Sequence, residues 1–366
     1  MNRDTAHPVT TTTRVDDDGP TGGDRAAAPG TATEPVGRLG SRTSHPRHRF
    51  LTSPRVLPVV VTFVLFVVMF GAGSARYDNF FSGQVLLNLF IDNAYLIVLA
   101  VGMTFVILTG GIDLSVGSVV ALSGVLAAKL LSIGWGPLAV MALVLVIGLG
   151  LGLAQGLVIH YLELQPFVVT LAGMFLARGL CYVISVESIP IRDPLFTAIA
   201  QGSITLPGDT FVSPSVVVAV VVVAVGAYLL HATRFGRSVY AVGGNQQAAT
   251  LMGLRVGRTK VAVYAISGLC SAISGLLFAF YSLSGYSLSA VGTELDAIAA
   301  TVIGGTLLSG GVGLVVGSLL GVLVLGLIQT FISFEGTLSS WWTKIVIGFL
   351  LLVFVVLQRF LVRSPD

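Results

Sequence analysis

An aspartate lies inside one of the apolar stretches of this chain, in the segment FVILTGGIDLSVGSVVALSG at 105–124. Gly110 and Gly111 precede Asp113 and can interrupt a helix, and Ser115 follows it where a new helix would begin. A carboxylate at that place can accept hydrogen bonds from the free N–H groups of a helix N-terminus. In a water-filled cavity it can instead accept hydrogen bonds from the hydroxyl groups of a substrate. The segment alone leaves both roles open.

Other polar side chains within apolar segments are candidates for the same path. Ionisable groups inside a membrane are costly and are therefore functional candidates, whereas a neutral polar group can equally join two helices. Arg178 either pairs with an acid such as Glu187 or Asp113 or contributes to the path. Few of these residues are charged, which argues against a proton-driven pump and favours an uncharged, hydroxyl-rich substrate. The candidate substrate-path residues are Asn88, Asp92, Asn93, Asp113, Ser115, Gln155, Thr170, Arg178 and Gln329.

The other charges in apolar segments have simpler interpretations. Lys129, Glu294 and Lys344 lie near segment ends, from which their charged groups can reach the membrane interface. Asp296 lies about one turn inside a segment, where a negative charge is favourable with the helix dipole.

The composition identifies the elements that must position these residues. The chain is 54% hydrophobic and 10% charged, with a mean hydropathy of +0.93, which indicates a polytopic membrane protein. Residues 1–50 are rich in Thr, Gly, Pro, Asp and Arg and predict a disordered cytoplasmic tail. Residues 51–366 are predicted to form the transmembrane domain. Cys181 and Cys270 fall in apolar segments without a metal-binding or disulfide spacing, so we expect buried hydrophobic roles for both.

Runs of about 20 mostly apolar residues predict an all-α fold, because open sheet edges are excluded from lipid. The ten predicted segments are 56–73, 85–108, 112–132, 137–159, 166–187, 213–232, 261–283, 294–308, 313–333 and 342–360. The regions 85–132 and 294–333 can each contain a broken or re-entrant helix.

Basic residues predict the side on which each connection lies. Arg42, Arg47, Arg49 and Arg55 precede the first segment, the loop 233–260 holds five basic residues and no acid, and Arg359 and Arg363 lie near the C-terminus. All three regions are predicted to be cytoplasmic, so both termini lie inside. The Pro-rich connection 188–212 suits the outer side. Six segments before the basic loop and four after it satisfy both constraints.

The motif around Asp113 has an echo 200 residues later. GGIDLSVGS at 110–118 corresponds to GGVGLVVGS at 310–318, with Asp113 replaced by Gly313 and Ser115 by Val315. Glycine-interrupted segments at corresponding places in two halves of a chain point to a substrate site. The even number of segments between the copies favours a parallel repeat, and an inverted repeat would need a re-entrant segment.

The basic loop 233–260 has the features of a docking element. A Gly-Gly-Asn turn precedes a predicted helix of about two turns with Asn245 at its N-cap and one apolar face. Such a helix is marginal alone in water, so it favours a groove on a partner. The alternative is a surface loop whose charges only set the topology. The predicted coupling residues are Gly243, Gly244, Asn245, Ala248, Leu251, Met252 and Gly253.

Two long motifs give the chain a family resemblance. VGMTFVILTGGIDLSVGS together with RFGRSVYAVGGNQQAATLMGL resembles the permease subunits of bacterial ribose-type sugar ABC importers, over roughly residues 56–360. The stretches SIPI at 188–191, ELDAIAATVIGGTLLSGGVG at 294–313 and IQTFISFEGTLSSWWTKI at 328–345 look like the galactofuranose-type permease.

This resemblance implies an assembly in the bacterial inner membrane. It implies a transmembrane dimer, either of two copies or of two paralogues, two cytoplasmic ATPase subunits and an extracytoplasmic sugar-binding protein. It also implies that 233–260 is the coupling element. The sequence contains no phosphate-binding loop of the type G-x-x-x-x-G-K-[ST], so ATP and Mg²⁺ are expected on the partner and no cofactor or nucleic acid on this chain. The glycines of 148–156 are expected to pack the dimer.

The predicted mechanism is alternating access, in which ATPase closure pushes on the coupling helix and the segments at 110–118 and 310–318 shift. The binding protein is expected on connections near 74–84, 188–212 and 334–341. The main rival class is a secondary transporter or channel, and another is a non-transporting membrane scaffold. Within the family, a nucleoside or a branched-chain amino acid is the nearest alternative substrate.

Overall fold

The computed structural model describes residues 57–207, 210–336, 339 and 341–362. The predicted disordered tail and the arginines before the first segment lie outside these residues. The described part is mainly helical. Its helices are α1 (Leu57–Arg76), α2 (Gly83–Leu108), α3 (Val116–Ser132), α4 (Pro137–Tyr161), α5 (Pro166–Ile184), α6 (Pro194–Gln201), α7 (Pro214–Ala232), α8 (Arg234–Gly244), α9 (Gln246–Leu251), α10 (Val256–Ser282), α11 (Thr293–Ile303), α12 (Val315–Glu335) and α13 (Trp341–Val362).

Each of the ten predicted segments overlaps one of these helices, which confirms the all-α polytopic fold. Within the described ranges, α1, α2, α4, α5, α7, α10 and α12 are long and apolar enough to cross a membrane, and α3 and α13 have shorter apolar stretches. The exception is α11, whose 11 residues rise only about 16 Å, roughly half of a hydrocarbon core. It is the broken piece expected within 294–333.

Four short strands lie in the connections. β1 (Ile189–Pro190) pairs antiparallel with β4 (Ser284–Gly285), and β2 (Ile204–Leu206) forms a hairpin with β3 (Thr210–Val212). The first pair ties the connection after α5 to the one after α10. The hairpin lies at the start of α2, where Phe211 N donates to Gln84 Oε1 at 3.0 Å.

The most buried helix is α2. In the most apolar 18-residue stretch of each helix, 83% of the residues of α2 and 61% of those of α10 are buried, against 17% of those of α1. α2 runs antiparallel to α12, because Gly326 packs against Asn93 near one end and Ser318 bonds Thr104 nearer the other. Polar side chains of α2 are thus held between two neighbouring helices.

The interruption around Asp113 lies at the end of α2. α2 continues unbroken for 26 residues to Leu108, and α3 begins at Val116, so residues 109–115 connect two helices. The corresponding residues 304–314 connect α11 to α12. These two stretches are called the first and second glycine connections.

The sequence echo corresponds to a contact in space. The amide of Gly311 donates to the carbonyl oxygen of Leu108 at 2.9 Å, so the two glycine connections meet at one end of the bundle. Both lead into helices that run away from that end. The two copies therefore run in the same direction, which the even number of segments between them favoured.

The glycines of 148–156 have a different role from the one predicted. Three of them face α10, where a Cβ at Gly152 would overlap the carbonyl oxygen of Tyr264 and one at Gly156 would lie 2.9 Å from Val261 Cα. Close packing of α4 on α10 requires these glycines. The predicted dimer face is therefore occupied by a helix of the same chain, except near Gly150, where a Cβ would meet nothing within 4 Å.

The basic loop contains more helix than its sequence suggested. The predicted Gly-Gly-Asn turn is the end of α8, with Gly243 and Gly244 in its last turn. Asn245 caps both neighbouring helices, since its N–H donates to Ala241 O and its side chain accepts from Ala248 N at 2.9 Å. The predicted N-cap is thus confirmed, and α9 ends before Gly253, whose φ is +76°.

Candidate functional site

A polar groove lies between α2, α10, α11, α12 and α13. It consists of two adjoining cavities of about 410 and 340 Å³ that share Asn93, Tyr95, Phe278 and Gln329. Four predicted substrate-path residues, Asn88, Asp92, Asn93 and Gln329, line it. Gln329 lies on α12, more than 230 positions in the chain from the three residues of α2, so only the folded bundle brings the four together.

Helical spacing arranges the α2 side of the groove. Asn88 and Asp92 lie four residues apart and face the same direction. Gln84 donates to Asn88 Oδ1 at 2.8 Å and orients its amide, while the Asp92 carboxylate is exposed to the cavity. Asn93 is buried, and its Nδ2 donates to Leu89 O at 2.9 Å. Asp92 is therefore the free carboxylate of this wall.

The opposite wall comes from α12. Gly326 lets this helix approach the Asn93 side chain, since a Cβ there would lie 2.5 Å from Asn93 Nδ2. Further along α12, Gln329, Thr330 and Ser333 line the cavity. The two hydroxyls donate to Gly326 O at 2.9 Å and Gln329 O at 3.0 Å, so they face the cavity as acceptors. Neutral hydrogen-bonding groups thus face a carboxylate across the groove.

Aromatic rings form the apolar surfaces between these polar groups. Tyr95 and Phe278 meet edge to face with centroids 5.1 Å apart, and Tyr281 and Phe334 extend the same lining. At the rim, the Tyr77 hydroxyl donates to Glu335 Oε2 at 2.5 Å, and this hydrogen bond raises the pKa of Tyr77 above its usual value of 10.0.

The second cavity contains an ion pair that the sequence did not predict. Lys344 Nζ lies 2.6 Å from Asp296 Oδ2 and 2.8 Å from Oδ1, joining α13 to the first turn of α11. Lys344 lies near the start of α13, and a carboxylate on a neighbouring helix binds its charged group. Glu294 differs from its predicted role, since its Oε2 is buried and lies against Gly117 in the first turn of α3.

Asp113 lies outside the groove, in a closed hydrogen-bond network. It is 1% exposed; its Oδ1 accepts from Ser115 N at 3.0 Å and Ser115 Oγ at 2.6 Å, and its Oδ2 accepts from Ser267 Oγ at 2.7 Å. The carboxylate thus fastens the start of α3 to α10. Ser267 was missed from the sequence because a serine in an apolar helix carries no signal of its partner.

Two more predicted path residues adjoin this network. Gln155 Oε1 lies 3.2 Å from Ser115 Oγ, and the Thr170 hydroxyl lies 3.3 Å from Ile112 O. Both side chains are buried. The predicted set therefore divides into four groove residues and four residues of the Asp113 network.

Arg178 belongs to neither group. Its Nη1 donates to the carbonyl oxygens of Ser287 at 2.5 Å and Ser289 at 2.9 Å. The predicted pairing with Glu187 or Asp113 is wrong, because the backbone between α10 and α11 supplies the acceptors. Arg178 holds the turns of this connection against α5.

Most of the predicted coupling residues form a projecting tip at the end of the bundle that holds the glycine connections, whereas Gly243 packs against the bundle. Leu251 and Met252 are 89% and 69% exposed, whereas Ala248 is partly buried and Ala249 is fully buried. The exposed apolar face is thus narrower than predicted and consists mainly of the Leu251 and Met252 side chains. Within the described ranges, no group of three or more His, Cys, Asp or Glu side chains could hold a metal ion.

These features define a class of protein: a polytopic helical membrane protein with a polar groove between its helices and an exposed apolar tip at one end of the bundle. Residues 85–355 match the family described as "Branched-chain amino acid transport system / permease component". The chain belongs to this permease family.

Three relatives illustrate the family. The inner membrane ABC transporter permease protein YjfF of Escherichia coli K12 is 49% identical over 83% of this chain and 92% of its own length. The fructose import permease protein FruG of Bifidobacterium longum is 41% identical over 87% and 95%. The ribose import permease protein RbsC of Haemophilus influenzae is 37% identical over 86% and 95%. No solved structure matches the chain. The chain is a non-catalytic permease component.

Proposed function

We propose that this chain is the permease of an ABC importer for a monosaccharide, and that the groove between α2 and α12 is the part of the path that contacts the sugar. The substrate class follows from relatives named for ribose and fructose import. The finer proposal is a furanose of galactose, which rests on the resemblance of 188–191, 294–313 and 328–345 to the galactofuranose-type permease.

The lining of the groove is the observation that carries this proposal. A neutral sugar offers hydroxyls that donate to carboxylates and amides, and apolar ring faces that pack on aromatic rings. Asp92, Asn88 and Gln329 supply the first kind of group, and Tyr95 and Phe278 supply the second. Lys344 is neutralised by Asp296, so no bare cation faces the cavity from this pair.

The family and the exposed tip support the following partners. An ATPase subunit would receive Leu251 and Met252 and would hold ATP and Mg²⁺, while a sugar-binding protein would deliver substrate at the other end of the bundle. We propose the bacterial inner membrane, with the basic segment 233–260 on the cytoplasmic side. A second permease, identical or paralogous, completes the pathway.

A branched-chain amino acid is the second candidate, because the family description names such a transport system. A zwitterion needs one fixed charge of each sign. The groove contains a positive charge on Lys344 and a negative charge on Asp296, but these two side chains bind each other at 2.6 Å and would have to separate to bind a zwitterion. A neutral solute leaves that pair intact, which favours the sugar.

Uptake into proteoliposomes tests the function. The permease is reconstituted with the ATPase, binding protein and second permease of its own transporter, and radiolabelled D-galactose, D-ribose, D-fructose and L-leucine are supplied separately. We expect ATP-dependent uptake of a sugar, and of galactose if the finer proposal is right. Uptake of leucine alone, or uptake that persists without the ATPase, would contradict the proposal.

Replacing Asp92 by alanine should raise the sugar concentration for half-maximal uptake by about tenfold, because a hydrogen bond to a charged group is worth about 1.5–3 kcal/mol. The melting temperature should stay unchanged, since the Asp92 side chain is exposed to the cavity. Glu163→Ala removes an exposed carboxylate from the α4–α5 turn and is the matched control. Equal effects of the two substitutions would exclude Asp92 from the path.

A further inference from the structure

We infer that the last turn of α8 links the coupling segment mechanically to both glycine connections, with Gly243 and Tyr240 as the positioning residues. This inference rests on the proposed function, since it concerns how movement of an ATPase reaches the bundle. It changes the role predicted for Gly243, which faces the bundle and not the ATPase.

Gly243 lies where three segments meet. A Cβ at this position would overlap the carbonyl oxygen of Leu108 and would lie 2.6 Å from the amide nitrogen of Gly311. A Cβ at Gly310 would lie 2.9 Å from Gly110 N. The backbones of α8 and of both glycine connections are therefore in direct contact, and only glycine permits this separation.

Hydrogen bonds join the same three segments. Gly311 N donates to Leu108 O at 2.9 Å, which connects the second glycine connection to the end of α2. The Tyr240 hydroxyl donates to Gly313 O at 2.7 Å, one turn before Gly243 on α8. Backbone polar groups that are paired in this way resist separate movement, because opening either bond leaves a partly buried group without its partner.

The tip and this contact are parts of one continuous element. Asn245 is shared by the end of α8 and the start of α9. α8 is seated by Val239 and Val242, which are buried, and by Phe235, whose ring stacks on Phe105 at 6.2 Å. A push on Leu251 is therefore transmitted through two short capped helices to the glycine connections.

The connections lead into the helices that line the candidate sites. The second one opens into α12, which carries Gln329, and the first opens into α3, which the Asp113 network ties to α10. Interdomain movements commonly act through a few residues at element ends. A displacement at Gly243 would therefore move the joined ends of α2 and α12 together, relative to the other helices that line the groove, and alter its width.

The test compares Gly243→Ala and Tyr240→Phe with two matched controls in the complete reconstituted transporter. Gly179→Ala adds the same methyl group to α5, where a Cβ meets nothing within 4 Å, and Tyr228→Phe removes a hydroxyl on the exposed side of α7. Uptake of radiolabelled D-galactose, D-ribose and D-fructose, ATP hydrolysis and co-purification of the ATPase are measured together. Tyr240→Phe keeps the ring and therefore the fold, so it decides the matter if Gly243→Ala does not reach the membrane.

We expect both variants to retain the ATPase and its basal hydrolysis while uptake falls, at least tenfold for Gly243→Ala and severalfold for Tyr240→Phe. Wild-type uptake in Tyr240→Phe and in a folded Gly243→Ala would overturn the inference, although the proposed function would stand. Loss of ATPase co-purification would also overturn it, because Gly243 would then belong to the docking surface. Absence of uptake by the wild-type complex would instead contradict the proposed function.

Discussion

Replacing Leu251 and Met252 together by glutamate should abolish ATP-dependent uptake, with a loss of at least about a hundredfold, while the amount of protein in the membrane stays normal. The two side chains are 89% and 69% exposed, so this chain loses almost no packing. On a partner ATPase they would enter an apolar groove, where an unpaired charge is strongly unfavourable. Uptake and the protein level in isolated membranes measure the two effects.

A conservative exchange separates apolar docking from a general disturbance of α9. The double exchange Leu251→Met and Met252→Leu keeps the apolar area. This variant should retain most of the wild-type uptake, because such swaps cost little in packed contacts. Co-purification of the ATPase should fail for the glutamate pair and succeed for the exchange. Normal uptake by the glutamate pair would exclude α9 as the coupling helix.

Replacing Asp113 by alanine should lower the stability of the folded permease more than any single change in the groove. Its carboxylate accepts three hydrogen bonds from Ser115 and Ser267 at 1% exposure. Each buried donor that loses its acceptor costs about 1–3 kcal/mol. A clear fall in the melting temperature of the detergent-purified protein, together with less protein in the membrane, is the expected result.

Asp113→Asn provides the matched comparison, because it keeps the shape and one acceptor oxygen. It should retain part of the stability that the alanine variant loses. The decisive comparison is with Asp92→Ala. Asp113→Ala should lower the stability of the protein, whereas Asp92→Ala should change the sugar concentration that uptake requires. If Asp113→Ala were as stable as the wild type and failed only in uptake, the carboxylate would have to act in the substrate path.

The regular elements were predictable because the membrane imposes them. Each apolar run of about 20 residues must satisfy its backbone internally, so hydropathy located ten segments. α8 was missed because its sequence, RFGRSVYAVGG, carries two charges and three glycines and lacks the apolar length that marks a membrane helix. Its amphipathic face became visible only where Val239 and Val242 are buried.

For the candidate site, the sequence predicted which residues could contribute but not which of them lie together. Polar residues in apolar segments could be listed from the sequence, but nothing in it separated Asp92, which faces a cavity, from Asp113, which is sealed by hydroxyls. The partners of Arg178 are backbone carbonyls, which every residue has, so its pairing carried no sequence signal.

The sequence by itself determined the class of the protein, the positions of its membrane segments, the cap at Asn245 and the two related glycine motifs. These follow from composition, run length and local hydrogen-bonding chemistry. The tertiary structure decided which of the polar residues share a groove, that Asp296 binds Lys344, and that both glycine motifs meet at Gly243. The physical reason is that contacts between distant helices depend on which side chains are small enough to let backbones approach, and that depends on the neighbouring helix.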